Sequence, residues 1–139
     1  MYILIDNSQD EKTTFHFCLN TIWSQKEFFN NDRDLLENLM TSLSDQKKQL
    51  SDLRGLAIVV GKGKFTATRI AATLANTLAY ALKIPVLAIE DWYENLANDI
   101  KATPVGIYAS ARYSAPANIG KSKPKNKILK IYHVIGLSA

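Results

Sequence analysis

Hydrophobic and polar residues follow one another along this chain with two different periods. Apolar runs of roughly four to eight residues are typical of strands, and apolar residues three or four positions apart are typical of helices. Turn-forming residues such as Asn, Gly and Pro separate these segments. In chain order the pattern predicts strands over 2–6, 13–19 and 22–29, a helix over 32–49, a strand over 53–60, a helix over 65–82, a strand over 86–90 and a helix over 91–100.

Past position 103 the pattern weakens. We expect further strands over 107–113 and 128–135. The stretch between them, 114–126, is expected to be a loop, because Pro116, Gly120 and Pro124 interrupt the hydrophobic pattern.

The order of elements predicts an α/β fold built on one mixed sheet. The first three strands are joined by short turns, so we expect an antiparallel meander. The later strands are joined through helices, and such connections give parallel neighbours. We therefore expect a five-stranded mixed sheet with the first two helices side by side on one face. In the second helix an apolar stripe is expected to cover the sheet, namely Ile70, Leu74, Leu78 and Leu82.

The composition is that of a single globular domain with an uneven distribution of charge. The 139 residues are 47% hydrophobic and 22% charged, and no apolar run approaches the roughly 20 residues that cross a bilayer. One cysteine, Cys18, excludes an internal disulfide and a cysteine-cluster zinc site, and no other metal-ligand spacing is present. We therefore expect a protein of the cytoplasm with no membrane segment and no metal.

Acidic and basic residues are unevenly distributed along the chain. Residues 1–100 contain 13 acidic and 10 basic side chains, whereas residues 101–139 contain seven basic and no acidic ones. This basic C-terminal segment predicts either an anionic partner or a solvated tail that lysines keep soluble.

A glycine-containing turn separates the fourth predicted strand from the second predicted helix. A helix that begins after such a turn presents free N–H groups and the positive end of its dipole to anions. Neither common nucleotide motif fits: from Gly61, a dinucleotide fingerprint needs a glycine at Thr66, and a P-loop ending at Gly63 and the next residue needs Ser or Thr at Phe65. The turn is therefore either an anion site or a tight connection with Phe65 in the core. Its basic residues are Lys62, Lys64 and Arg69.

The two longer helices carry more apolar and small uncharged residues than packing on a sheet requires. A solvated helix face normally carries charges, and an exposed face without them usually marks an interaction site. The pattern therefore predicts a protein partner, packing of the two helices against each other, or both. The candidate interface residues are Leu35, Leu36, Leu39 and Met40 on the first helix and Thr73, Asn76, Thr77 and Tyr80 on the second.

Two segments carry motifs of defined spacing. The first is Leu-Ile-Asp-Asn-Ser at positions 4–8, and the second is Gly-x-Gly-x-Phe-Thr-x-x-Arg-Ile at positions 61–70. Together with the order of elements, they resemble the TsaB (YeaZ) family of bacterial tRNA threonylcarbamoyladenosine biosynthesis over roughly residues 1–90. The chain departs from the family pattern at Asn7, where the family has threonine, at Lys64, where it has serine, and at Ala67 and Ala71, where it has glycine.

The resemblance implies a single actin-like ATPase (ribonuclease H-like) lobe over residues 1–103, followed by a basic extension over 104–139 as a reduced second lobe. It implies a non-catalytic scaffold that binds and stabilises a TsaD-like catalytic subunit, which modifies adenosine 37 of tRNA. A TsaE-like ATPase is a further expected partner, and the chain is expected to contact tRNA only through the complex. The chain alone is expected to form a homodimer. No cofactor is expected in the isolated chain, and ATP binding is expected only at the partner interface.

The resemblance also suggests an anion or nucleotide site at one end of the sheet. Asp6 stands where actin-like ATPases place a carboxylate for metal–nucleotide chemistry. That chemistry needs a second lobe to exclude water, so we expect Asp6 instead to cap the turn after the first strand. The candidate residues are Asp6, Ser8, Gly61, Gly63, Lys64, Thr66 and Arg69.

Two further functions stay open on the sequence alone. One is a small nucleotide- or phosphate-binding module that uses the 61–69 turn, and the other is an RNA-binding domain that uses the basic segment. Contact of that segment with tRNA would go through phosphates and would carry no sequence preference. The lysines concerned are Lys121, Lys123, Lys125, Lys127 and Lys130.

Overall fold

The computed structural model describes residues 1–29 and 34–110, which form a five-stranded mixed sheet with helices on both faces. A single turn of 3₁₀ helix lies at Leu50–Asp52, between the first helix and the fourth strand. The elements are β1 (Tyr2–Gln9), β2 (Lys12–Leu19), β3 (Ile22–Phe29), α1 (Leu35–Asp45), β4 (Gly55–Val59), α2 (Phe65–Leu82), β5 (Val86–Ile89) and α3 (Leu96–Ala102).

The strand order is β3-β2-β1-β4-β5. Strands β1, β2 and β3 pair antiparallel, whereas β4 pairs parallel with both β1 and β5. The predicted α/β class and the mixed five-stranded sheet are confirmed. Every residue of β4 and β5 is buried, as expected for parallel strands covered on both faces, whereas most of β3 is exposed at the sheet edge.

The alternation of side chains along β1 shows which helix covers which face. Asn7 donates a hydrogen bond from Nδ2 to the carbonyl of Ala67 in α2, at 3.0 Å. Tyr2 points to the opposite face, where its ring lies beside Gly55 and Ile100 of α3. Helices α2 and α3 therefore pack on opposite faces of the sheet, and α1 lies beside α2.

Local chemistry sets the ends of the helices. Asp34 is the N-cap of α1, and its Oδ1 accepts a hydrogen bond from the N–H of Glu37 at 2.7 Å. Helix α2 ends at Leu82 and is capped by Lys83, which adopts the left-handed conformation (φ 57°); Pro85 follows two residues later.

Several sequence-based boundaries are wrong. Helix α1 ends at Asp45 rather than at 49, because the chain reverses through Lys47 in the left-handed conformation (φ 59°). Helix α3 begins at Leu96, since 91–95 form a bend, irregular backbone and a turn instead of a helix. Residues 107–110 form no strand, whereas the rest of that predicted strand, the loop 114–126 and the strand 128–135 lie outside the described residues.

The stripe predicted to cover the sheet from α2 is correct only at Leu78, which is buried. Ile70 is 47% exposed, and Leu74 and Leu82 are only partly buried. Small residues form most of the buried side, which lets the helix axis approach the sheet closely. The buried residues of α2 are Thr68, Ala71, Ala72, Ala75, Leu78 and Ala79.

The α3 face of the sheet holds a half-buried histidine. His16 lies on β2 opposite Leu4 of β1. Burial lowers the pKa of His16, and the nearby carboxylates of Asp6, Asp91 and Glu27 oppose that effect without overcoming it. The folded protein therefore favours neutral His16.

Gly63 lets the turn before α2 approach the end of β1. Its backbone is left-handed (φ +87°), and a Cβ placed there would lie 2.5 Å from the carbonyl oxygen of Ser8 and 2.6 Å from its Cα. Only glycine combines this backbone conformation with so close an approach.

We predict that Gly63→Ala lowers the free energy of unfolding by at least about 3 kcal/mol, because left-handed strain adds to a backbone collision. Gly106→Ala is the matched control: Gly106 is also left-handed (φ +98°), but among the described residues no atom lies within 4 Å of its missing Cβ. The control is expected to cost about 1 kcal/mol. Urea unfolding measures both, and equal losses in the two variants would contradict the role of the Ser8 contact.

We also predict that His16 makes stability depend on pH. Its folded pKa lies below the value of 6.5 that it has when unfolded, so the unfolded chain takes up the proton first. Above about pH 6.5 His16 is mostly neutral in both states and does not lower the free energy of unfolding. As pH drops below that value towards the folded pKa, the unfolded chain binds the proton and the free energy of unfolding falls. In urea unfolding between about pH 5 and pH 8, His16→Gln should show a flatter decline than the unaltered protein. Parallel profiles would contradict this prediction.

Candidate functional site

The end of β1 is held by its own side chains. Asp6 is almost fully buried, and its Oδ1 accepts hydrogen bonds from the N–H of Ser8 at 2.9 Å and from the Ser8 hydroxyl at 2.5 Å. One carboxylate oxygen of Asp6 is thus engaged by Ser8 of the same strand, where the pairing of β1 with β2 is irregular. The expectation that Asp6 caps the turn after the first strand is wrong, because β1 continues to Gln9 and the turn lies at 10–11.

Asn7 joins three elements at the same end of the sheet. Its amide nitrogen donates to the Ala67 carbonyl in α2, and its Oδ1 accepts from the hydroxyl of Thr13 in β2 at 2.5 Å. Thr68 adds a weaker link, since its hydroxyl donates to the carbonyl of Lys62 at 3.4 Å. Sequence reasoning missed these roles of Asn7 and Thr68. An amide at the end of a strand and a threonine in the first turn of a helix were the only available signals.

The structure brings the seven candidate anion-site residues to one end of the sheet, but each basic side chain of the turn is directed at a neighbour. The pairs are Lys62 Nζ with Asp91 Oδ2 at 3.9 Å, Lys64 Nζ with Asp10 Oδ1 at 3.8 Å, and the Arg69 guanidinium carbon with the centroid of the Phe65 ring at 5.2 Å. The two ion pairs are well exposed and therefore weak. Anion binding at this turn stays a prediction.

Phe65 is not buried in the core, so the predicted alternative of a tight connection with Phe65 in the core is wrong. Phe65 is 52% exposed and stands between two clefts. One cleft, of about 520 Å³, lies between the β1–β2 turn and the first turn of α2, and four of its lining residues are charged. Those four are Asp10, Glu11, Lys12 and Lys64.

The other cleft runs between α1 and α2 and has a volume of about 560 Å³. Only two of its lining residues are charged, Asp34 and Arg69. We call this cleft the α1–α2 groove. Its lining residues are Asp34, Leu35, Leu36, Phe65, Thr66, Arg69, Ile70, Thr73, Leu74 and Thr77.

The groove corrects the predicted interface. Leu39 is fully buried in the core beneath α1 and presents no free surface, whereas Leu35 is almost fully buried and adds only a small part of the groove lining. Asn76 is engaged with the backbone of Ala109. Leu36, Met40, Thr73, Thr77 and Tyr80 are exposed, as the prediction required.

Six groove residues were missing from the predicted interface, and three of them are apolar, namely Phe65, Ile70 and Leu74. The signal for Ile70 was present, since Ile70, Thr73 and Thr77 recur at three- and four-residue spacing and so share one side of α2. Ile70 was instead assigned to the sheet because the leucines that follow it at helical spacing gave a more hydrophobic stripe than the alanines.

Membrane-spanning helices and metal sites were also sought among the described residues. No helix among them is long and apolar enough to cross a membrane. Within residues 1–29 and 34–110, no three His, Cys, Asp or Glu side chains converge on a position that could hold a metal ion. The five lysines predicted to meet tRNA lie outside the described residues.

Solved structures and curated sequences agree on the relatives of this chain. The structure is similar to that of YeaZ from Pseudomonas aeruginosa, with a TM-score of 0.57 and 28% identity over 65% of this chain and 43% of the other. The TsaB biosynthesis protein of Buchnera aphidicola is 34% identical over 55 residues, 40% of this chain and 25% of the relative. The tRNA N6-adenosine threonylcarbamoyltransferase of Chromobacterium violaceum is 36% identical over 62 residues, 45% of this chain and 18% of the relative.

These matches confirm the resemblance to TsaB (YeaZ) proteins and the actin-like fold, and they show that this chain corresponds to less than half the length of each relative. A family model described as TsaD, tRNA N6-adenosine threonylcarbamoyltransferase, matches residues 30–121. Because that span covers more than half of the 139 residues, the chain belongs to the TsaD family, in which its fold resembles that of YeaZ.

Proposed function

We propose that this chain is a non-catalytic scaffold of tRNA threonylcarbamoyladenosine modification, which binds and stabilises a TsaD-like catalytic subunit through the α1–α2 groove. The observation that carries the proposal is the groove itself, an exposed and mainly uncharged surface between two helices. The similarity to TsaB and YeaZ proteins supports a role in tRNA threonylcarbamoyladenosine modification.

The side chains of the groove fit a helix-binding surface better than a solvated one. Leu36, Phe65 and Ile70 are each between 43% and 52% exposed, and Met40, one turn after Leu36, is 45% exposed. Large apolar residues gathered on one face usually mark a protein interface. Thr73 and Thr77 lie between them and are small enough to let a partner helix approach closely. The two charged residues, Asp34 and Arg69, provide a polar rim.

The end of β1 supports a non-catalytic role for the chain. Asp6 Oδ1 already accepts two hydrogen bonds from Ser8 within β1, and these compete with any use of the same oxygen on a ligand. The three basic side chains of the neighbouring turn have partners within the chain, which disfavours the alternative of a phosphate-binding module. In this proposal ATP binds only at the interface with the catalytic subunit.

The proposal extends to the rest of the assembly. Residues 1–103 form the docking lobe, and the extension 104–139 brings positive charge towards tRNA phosphates held by the catalytic subunit. In the absence of that subunit the groove binds a second copy of the chain, since a self-complementary apolar surface favours a symmetric dimer. A TsaE-like ATPase joins the complex in the cytoplasm.

We predict that Thr73→Glu weakens binding to a TsaD-like subunit by at least about 2 kcal/mol, or about 30-fold in Kd, because it buries an unpaired charge in an apolar interface. Thr73 is exposed on α2, so the isolated chain should remain folded. Calorimetric titration with the purified subunit gives the Kd, and circular dichroism checks the fold.

The control is Asn98→Glu, which introduces the same side chain at an exposed position of α3, on the other face of the sheet. It should bind the subunit as the unaltered protein does. Normal binding by a folded Thr73→Glu variant would contradict the proposed surface. A test at Leu39 is not informative, because a charge at that fully buried position would disrupt the core.

A further inference from the structure

The exposed start of α2 separates two clefts. Phe65, Thr66 and Ile70 line both the α1–α2 groove and the cleft beside the β1–β2 turn, which we call the hairpin cleft. We call these three residues the ridge. All three are exposed, and the two large apolar ones, Phe65 and Ile70, are 52% and 47% exposed. The ridge therefore presents apolar surface to solvent between two depressions.

The hairpin cleft carries four charged residues, and three of them have ionic partners. Lys64 Nζ lies 3.8 Å from Asp10 Oδ1, and Lys12 Nζ lies 3.2 Å from Glu27 Oε2. Glu11, the fourth, is exposed at the tip of the β1–β2 turn and forms no ion pair with any residue that the structure describes. On one side of the ridge there is therefore a negative charge that the described residues leave unpaired.

The groove, on the other side of the ridge, carries a charge of opposite sign. Its two charged residues are Asp34 and Arg69, and Asp34 Oδ1 is engaged as the N-cap of α1. The Arg69 guanidinium carbon lies 5.2 Å from the centroid of the Phe65 ring, and within residues 1–29 and 34–110 it pairs with no carboxylate. Stacking on the ring orients the planar guanidinium and leaves its N–H donors available.

One charge of each sign on opposite sides of an apolar ridge is a pattern that a two-fold axis makes self-complementary. In a symmetric dimer both copies use the same surface, so that residue i contacts residue j and residue j contacts residue i. An axis through the ridge sets the two ridges against each other and turns the groove of each copy towards the hairpin cleft of the other. Arg69 of each copy then faces Glu11 of the other.

We propose that the isolated chain forms a symmetric dimer in this arrangement, with the two ridges in contact at the centre and reciprocal ion pairs between Arg69 of one copy and Glu11 of the other. This inference rests on the proposed docking function of the groove. The ridge supplies apolar contact, and the ion pairs select the orientation, since charge complementarity contributes more to specificity than to affinity. A TsaD-like subunit in the groove displaces the second copy.

Charge reversal tests the ion pairs in the full chain. Arg69→Glu and Glu11→Arg each replace both attractive contacts of the dimer with repulsive ones. We expect each variant to raise the dimer dissociation constant by about tenfold or more, because like charges set opposite each other disfavour association. Sedimentation velocity over a range of concentrations measures this constant. Both positions are exposed, so the monomer should remain folded, and circular dichroism checks it.

An equimolar mixture of the two variants tests whether the charges meet between copies. In the mixed dimer the introduced glutamate faces the introduced arginine, and the retained Glu11 and Arg69 face each other. Both contacts are attractive again, so the mixture should dimerise with a dissociation constant within about threefold of that of the unaltered chain. Mixing could not restore a pair formed within one chain.

The matched controls are Arg54→Glu and Glu94→Arg, which make the same charge changes at exposed positions that line neither cleft. Neither control, alone or mixed with the other, should change the dissociation constant. Arg69→Gln covers the case in which Arg69→Glu does not fold. It removes both attractions without adding repulsion, so it should weaken the dimer by about threefold or more and reduce its dependence on salt.

Three results would overturn the proposal. One is a chain that sediments as a monomer at every concentration, which would leave the TsaD-like subunit as the occupant of the ridge. The second is dimerisation of the charge-reversal variants as in the controls. The third is weakened dimerisation that the mixture does not restore, because Arg69 and Glu11 would then not face each other.

These failures are distinguishable from failure of the proposed function. If the groove is not the docking surface for the TsaD-like subunit, Thr73→Glu binds that subunit normally, and the mixing experiment still reports on self-association. If only the dimer arrangement is wrong, Thr73→Glu still weakens binding of the subunit while the variants of Arg69 and Glu11 dimerise as the controls do or fail to recover on mixing.

Discussion

The close approach of the turn before α2 to the end of β1 is the constraint on which the rest of this structure depends. Gly63 permits it, since any side chain there would collide with the backbone of Ser8. Asn7 then connects the same end of β1 to the first turn of α2 and, through Thr13, to β2. A strand, a turn and a helix from separate parts of the sequence are thereby fixed at one point.

The orientation of α2 follows from that junction and from its small residues. Ala71 and Ala75 are fully buried, so the helix lies close to the sheet and turns its larger side chains outward or towards α1. Ile70 and Phe65 consequently remain exposed along the groove. Exposure of an apolar surface of this kind to water is unfavourable. We regard it as the physical link between the fold and the proposed function in protein association.

Much of the fold could be predicted from the sequence, because strand periodicity, turn residues and Pro85 are local signals. Long-range contacts could not be predicted in this way. The pairing of Asn76 with Ala109 joins residues 33 positions apart, and the burial of Leu39 depends on how α1 packs on the sheet. Helical spacing alone gave two possible buried sides of α2, and hydrophobicity favoured the leucine side. The structure selects the alanine side, since close packing there buries the helix more completely.

The candidate site shows the same division between local and long-range signals. The motif that begins at Gly61 indicated the family and the turn, whereas Asp6, expected to cap a turn after β1, bonds to Ser8 within the strand. The partners of Lys64 and Arg69 were not predictable, because they depend on the β1–β2 turn and on the outward direction of Phe65. These contacts move the functional interpretation from the anion site to the groove.

The most direct test of the docking surface is methyl NMR of the full chain during titration with a purified TsaD-like subunit. Leu36, Ile70 and Leu74 report on the groove, whereas Leu96 and Ile100 report on the α3 face of the sheet. The account predicts that the groove methyls shift or broaden first and most, while the α3 methyls show only the uniform broadening of a larger complex. Selective changes at Leu96 and Ile100, with the groove methyls unaffected, would contradict it.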